Sequence, residues 1–318
     1  MKSLRLIPLV IALLLGGCAV QSEPGTTQES DPAFSYSFTD DTGTDVTLAK
    51  RPEHVAVLLS SLADLWQTAG GTADITVGET VERGYADTDV VLVDDGAGKQ
   101  INTELLVASV PDFVLYSAEL AGQLECAESL RAAGIPAAGF CMETFEDYLR
   151  VLKICTDLTG QTDRYETYGV KVRDRIETMI GQAQSQTEQP KILFVRAGSK
   201  ADYTKAKTAE NNFVCAMLKE LGTVNIAEKA PVLLDGLSTE EVLLADPDAI
   251  LFTTMGDEES AVAYMQSLLD DPVWKTLSAV KSGKVYCLPK NMFQYKPNAR
   301  WDEAYAYLIG LLYGETAE

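Results

Sequence analysis

Two short stretches of this chain reverse its overall charge. Residues 196–207 carry Arg196, Lys200, Lys205 and Lys207 against one acid, Asp202, and residues 290–300 carry Lys290, Lys296 and Arg300 with none. These are seven of the 26 basic side chains in a protein of formal net charge -21. A local reversal of sign suits an anionic small molecule, because low-dielectric walls strengthen its attraction to cations. Tyr203, Phe293, Tyr295 and Trp301 interleave with the charges and offer faces to stack on the rings of a catecholate or macrocycle. Ser60 and Ser61 follow the first expected strand, and Arg83 and Tyr85 fall in the third loop. The candidate ligand-binding residues are therefore Ser61, Arg83, Tyr85, Arg196, Tyr203, Lys205, Phe293, Tyr295 and Arg300.

Other chemistries find little support. His54 is the single histidine and begins an apolar run beside Pro52, a structural setting. A hydrolase would need it as base, yet no G-x-S-x-G elbow presents a nucleophile. Gly96-Ala97-Gly98-Lys99 fails as a phosphate loop, because Val93 stands six residues before Lys99 and Gln100 replaces the required Ser or Thr. The net charge argues against nucleic-acid binding. Beyond Cys18, cysteines stand at 126, 141, 155, 215 and 287; their odd number leaves at least one free or paired with another chain. A binding protein rather than an enzyme is expected.

The elements that must position these residues alternate. Short apolar or β-branched runs at 54–59, 90–93, 112–116, 192–195, 249–252 and 284–287 are separated by helical periodicity, which argues for an α/β fold with largely parallel sheets. Between the halves, Tyr165, Tyr168, Val172, Ile176 and Met179 recur at steps of three and four, predicting one amphipathic helix over 163–184. At 1.5 Å per residue it runs roughly 33 Å. Gly160 caps a preceding helix over 145–158.

The halves also share a motif. Residues 102–116, NTELLVASVPDFVLY, align without a gap on 238–252, STEEVLLADPDAILF. Thr103, Glu104, Pro111, Asp112 and Leu115 are identical to Thr239, Glu240, Pro247, Asp248 and Leu251. Each copy has one plan: an N-cap at Asn102 or Ser238, a short helix, a Pro-Asp turn and a buried strand. Two similarly built lobes follow. Glu104 and Glu240 occupy the same place in each, where an acid also favours the helix dipole, and Ser238 and Glu241 have capping-box spacing.

The chain opens with Lys2 and Arg5, an apolar run over 6–15, then Gly16 and Gly17, the pattern of a signal peptide. Leu15-Gly16-Gly17-Cys18 resembles the lipobox of bacterial lipoproteins, which implies a lipid on Cys18 and an extracytoplasmic, membrane-anchored protein. Two acyl chains suffice for stable anchoring. The polar residues after Cys18 read as a flexible tether of roughly 20 Å reach. The expected organisation is a signal peptide at 1–17, lipidated Cys and tether at 18–34, an N-terminal lobe at 35–142, a helical connector at 143–185 and a C-terminal lobe at 186–318.

Taken in order, several segments resemble the helical-backbone class of ABC-transporter substrate-binding proteins, carriers of ferric siderophores, haem or cobalamin. They are Phe38-Thr39-Asp40-Asp41 with Thr47-Leu48 and Arg51-Pro52, then Pro111-Asp112, Asp271-Pro272-Val273-Trp274-Lys275, Val280-Lys281-Ser282-Gly283-Lys284-Val285-Tyr286 and Arg300-Trp301. The resemblance implies two Rossmann-like lobes joined by a single long helix, with a ligand in the cleft between them. It implies a monomer, no covalent cofactor, and a ferric chelate, haem or corrinoid as cargo. It also implies that Glu104 and Glu240 dock onto the ABC transporter permease. Related carriers of bare zinc or manganese use several histidines, so one His argues against a free metal ion. A surface scavenger without a permease is the alternative.

Overall fold

The computed structural model describes residues 34–314 apart from 95 and 97. The signal segment, Cys18 and the tether lie outside the described residues. The first described element is an antiparallel hairpin of β1 (Tyr36–Thr39) and β2 (Asp45–Leu48). Buried Asp40 closes it, accepting from the Thr42 and Thr44 amides, and reaches over to the Gly139 amide at 2.8 Å.

The chain then alternates through β3 (Val55–Val57), α1 (Ser60–Thr68), β4 (Ile75–Thr76), α2 (Gly78–Glu82), β5 (Val91–Leu92), α3 (Thr103–Ala108), β6 (Phe113–Ser117), α4 (Ala121–Ala132) and β7 (Ala137–Phe140). Its sheet has the order β5-β4-β3-β6-β7, every pair parallel. β3, β6 and β7 read as continuous apolar runs because helices cover both faces.

Two helices link this sheet to the next. α5 (Phe145–Thr159) starts with a reciprocal capping box between Thr144 and Asp147 and ends at Gly160, whose φ of 76° supplies the left-handed cap. The expected long helix is present as α6 (Thr162–Tyr165), a π-turn over Glu166–Val170 and α7 (Lys171–Gln184). The π-turn falls where α5 crosses. A Cβ on Gly169 would sit 3.1 Å from Leu149 Cδ2, and the Tyr148 hydroxyl donates to the Tyr168 carbonyl at 2.9 Å. Close helix approach and an inserted side-chain donor are common causes of such a bulge.

The second sheet holds β8 (Lys191–Ala197), β9 (Lys205–Ala206), β10 (Val224–Asn225), β11 (Ala249–Thr254) and β12 (Val285–Cys287). The order β10-β8-β11-β12 is parallel, and β9 folds back antiparallel on the end of β8. Helices α8 (Phe213–Glu220), α9 (Thr239–Ala245), α10 (Glu258–Leu269), α11 (Ser278–Lys281), α12 (Lys290–Phe293) and α13 (Trp301–Tyr313) complete it. α13 packs along α7, tied by Arg175 to Asp302 at 2.6 Å.

The internal repeat is structural. Asp112 accepts the Glu53 and His54 amides at the start of β3, and Asp248 accepts the Lys191 amide at the start of β8. Val110 and Asp246, 136 positions apart as the alignment requires, share a left-handed backbone, with φ of 51° and 43°. Helix exit, turn and strand entry therefore repeat in both halves. His54 is a structural residue, with Nε2 3.1 Å from the Ser109 carbonyl. One continuous core runs from Leu62 and Phe140 through Leu152 and Ile176 to Phe194 and Trp301, so the first sheet, the connector and the second sheet share it.

Candidate functional site

In a parallel α/β sheet, ligands sit beyond the carboxyl ends of the strands. Those ends of β3, β6 and β7 deliver Ser60, Ser61, Ser117, Phe140 and Met142 to one cavity of about 230 Å³. Its opposite wall is Gln294, Tyr295 and Lys296 from the second lobe. Lys99 lines it from the glycine loop, which is closely packed: a Cβ on Gly98 would lie 2.3 Å from the Leu58 carbonyl, and one on Gly122 as close to the Lys99 carbonyl. Buried Gln123 fixes this wall. It donates to the Leu58 and Gly98 carbonyls at 2.6 and 2.7 Å and accepts the Ser117 amide at 2.7 Å.

Five of the candidates gather where the lobes meet. Arg83 Nη1 donates to Ser60 Oγ at 2.8 Å and reaches Ser61 Oγ at 3.4 Å. Its guanidinium lies 3.9 Å from the Tyr295 ring centroid and 4.9 Å from that of Tyr85, so an aromatic from each lobe flanks it. Such cation–π contacts hold the group flat without neutralising it, and Arg83 forms no ion pair among the described residues. Beneath it lies Asp64, whose carboxyl burial pushes above its ordinary value, while the Asn298 amide and the charges of Arg83 and Arg300 pull it back. Asn298 donates to Asp64 and to the Ser61 carbonyl, both at 2.9 Å, which stitches the lobes together; its backbone is left-handed, with φ of 51°, a conformation asparagine adopts more readily than most residues. Arg300 is anchored on the Asn291 carbonyl at 3.2 Å.

A second group belongs to the second lobe alone. Arg196 at the end of β8 and Lys205 on β9 are directly opposed across the antiparallel pair, and Lys207 follows on the same face. None of the three has an ion-pair partner among the described residues. Burial, then the charges of Arg196 and Lys205, lower the pKa of Lys207 from its ordinary value. Three clustered cations without a counter-ion are costly unless an anion completes them. Tyr203 is half-exposed nearby, with the Lys200 ammonium 4.7 Å from its ring centroid.

Two aromatics are not where their spacing suggested. Phe293 is 1% exposed and packs on Tyr307 at 5.5 Å, and Trp301, equally buried, is wedged edge-on between Phe145 and Phe213. Both fill the core beneath the cleft rather than face it. The residues that sequence reasoning missed are mostly acids and amides: Asp64, Glu79, Gln123, Glu143 and Asn298. In so acidic a chain a single carboxylate carries no signal. Glu79 accepts from the Tyr295 hydroxyl at 3.2 Å, and Glu143 pairs with Lys296 at 2.6 Å. All five described cysteines are free thiols. Burial and the carboxylates of Glu119, Glu143 and Asp147 push Cys141 up to about 12, so it stays protonated and unreactive.

Glu104 and Glu240 are exposed in the first turns of α3 and α9. Asn102 and Ser238 cap those helices as expected, accepting the Leu105 and Glu241 amides. The Asn102 amide donates to the Val93 carbonyl just past β5, so Glu104 stands near the carboxyl end of that strand, and Glu240 holds the equivalent place in the repeat.

The model of one family, described as periplasmic binding protein, matches residues 55–292. No curated protein sequence matches the chain. Solved structures share its fold. The apo periplasmic haem-binding protein RhuT from Roseiflexus superposes with a TM-score of 0.67 at 20% identity, covering 82% of this chain and 98% of that one. Staphylococcus aureus SirA complexed with staphyloferrin B gives 0.68 at 16%, covering 87% and 98%. S. aureus IsdE complexed with haem gives 0.66 at 17%, covering 82% and 98%. With parallel sheets on either side of a helical connector, a cavity where they meet and a family model spanning most of its length, this chain belongs to the periplasmic binding protein family, a family of binding proteins and not of enzymes.

Proposed function

We propose that this protein is the substrate-binding component of an ABC importer, held at the outer face of the membrane by lipid on Cys18, and that it captures an anionic chelate of the iron–siderophore type. The observation that carries the reading is a set of cations that form no ion pair among the described residues: Arg83, flanked by Tyr85 and Tyr295 where the lobes meet, and Arg196, Lys205 and Lys207 at the end of β8 and on the strand paired with it. An anion reaching Arg83 would gain charge-assisted hydrogen bonds from a planar guanidinium already in position. That SirA is complexed with staphyloferrin B on the same fold supports this class of ligand. Haem is the second reading, favoured by the aromatic faces, by the haem complex of IsdE and by RhuT, a haem-binding protein solved in apo form; a corrinoid, or a scavenger without its own permease, is less well served by the cations. Glu104 and Glu240 are the proposed permease contacts, one per lobe. The proposed divisions remain 35–142 and 186–318 for the lobes and 143–185 for the connector.

Trp301, next to the 290–300 loop, makes binding measurable by quenching. Ferric catecholates, ferric hydroxamates, haem and cobalamin are titrated into the protein. Anionic ferric chelates are expected to bind at least tenfold more tightly than hydroxamates or cobalamin. A clear preference for the neutral ligands would overturn the assignment.

A further inference from the structure

The cleft is partly filled by its own chain. Between two buried anchors, Phe293 and Asn298, the segment 294–296 crosses from the second lobe to the first. The Tyr295 ring lies over Arg83 at 3.9 Å and its hydroxyl reaches Glu79. The Lys296 ammonium sits 2.6 Å from Glu143 and 4.6 Å from the centroid of Phe213. Lys290 adds a second cation 5.7 Å from the Tyr295 ring. The space left, about 230 Å³, falls below the ~300–1,000 Å³ of sites that hold ligands of drug size or larger.

We infer that residues 294–296 form a strap that stands in for the ligand, with Glu143 as an internal counter-ion at a subsite for an anionic oxygen. An arriving carboxylate or catecholate takes the place of Glu143 at Lys296, and its ring takes the place of Tyr295 over Arg83. The inference rests on the anionic-ligand reading above and adds a competitor to it. Glu143 then works against affinity while selecting for ligands anionic enough to displace it, a form of specificity by repulsion. The strap is suited to such movement. The Gln294 and Tyr295 amides both hang on one acceptor, the Lys290 carbonyl at 3.0 Å, and the only ion pair across the cleft is Lys296–Glu143 among the described residues.

The test is Glu143→Gln, which keeps shape and removes charge. In the ligand-free protein, hydrogen exchange at residues 294–296 is expected to accelerate about two- to fivefold, the upper part of the range for loss of one ion pair, with β8 unchanged. Equal exchange in variant and wild type overturns the strap whatever the ligand is. In a second arm, ferric tris(2,3-dihydroxybenzoate) and ferric citrate are the probes, separating catecholate from carboxylate. The variant is expected to bind the probe preferred by wild type about three- to tenfold more tightly. Weaker binding would make Glu143 a ligand contact and sink the inference. If wild type binds neither probe, the ligand reading fails, and the exchange arm alone decides the strap.

Discussion

Gln123→Met tests whether the cleft wall depends on a single buried amide. The Gln123 side chain is 0% exposed and makes three hydrogen bonds, to the Leu58 and Gly98 carbonyls and from the Ser117 amide. Methionine has nearly the same length and volume, so little cavity forms. At about 1 kcal/mol net per neutral hydrogen bond, the direct loss is about 3 kcal/mol. The Ser117 amide is left buried without an acceptor, which adds about 1–2 kcal/mol. The sum, about 4–5 kcal/mol, is a large share of the ~5–15 kcal/mol that holds a typical domain folded. Urea unfolding followed by tryptophan fluorescence measures it, with the slope in denaturant unchanged, since the area exposed is the same. Hydrogen exchange should rise first around residues 98–100 and 117. A loss below about 1 kcal/mol would show that the wall is held by the glycine packing at Gly98 and Gly122, and that the assignment of Gln123 as its fastener is wrong.

Replacing Glu104 and Glu240 together by alanine should reduce ligand uptake by cells about tenfold or more while leaving the affinity of the purified protein unchanged, because loss of charge pairs at an interface acts on docking alone; unchanged uptake would remove them as permease contacts. Although burial would raise it, the pKa of Asp112 is held below its ordinary value by the Glu53 and His54 amides and by Lys50. Its stabilising contribution is therefore complete above pH 3.8 and is lost as pH falls through the lower, folded-state value. Asp112→Asn should cost about 1–2 kcal/mol at pH 7 in urea unfolding, with the gap to wild type closing on acidification below pH 4; a gap that widened would contradict this sign.

Much of the frame was legible because it rests on burial pattern. The repeat located α3 with β6 and α9 with β11, and helical periodicity located the connector to within a residue at its start. What escaped was set by tertiary contact. β7, with the sequence AAGF, has little intrinsic strand preference and is a strand because β6 pairs with it; β4, β9 and β10 are two residues long and exist only as neighbours of longer strands. The π-turn is likewise a product of Leu149 and Tyr148 crossing Gly169, which no spacing along one helix records. At the site, charge and aromatic content identified the right loops but not which side chains turn inward. Tyr295 and Phe293 are two residues apart in the same loop, and one lies over Arg83 while the other supports the core.

The shared core has a bearing on how a loaded carrier is told from an empty one. A seam of Phe145, Trp301 and Phe213 joins the connector to the second lobe, the same core continues through Leu152 to Phe140 and Leu62 of the first, and close-packed interiors transmit strain rather than yield to it. Wide jaw-like closure would disrupt that shared core, so binding energy is better spent locally than on moving whole lobes. A partner surface that received the carrier would then read occupancy from the local charge and shape of the cleft rim rather than from a gross change of form.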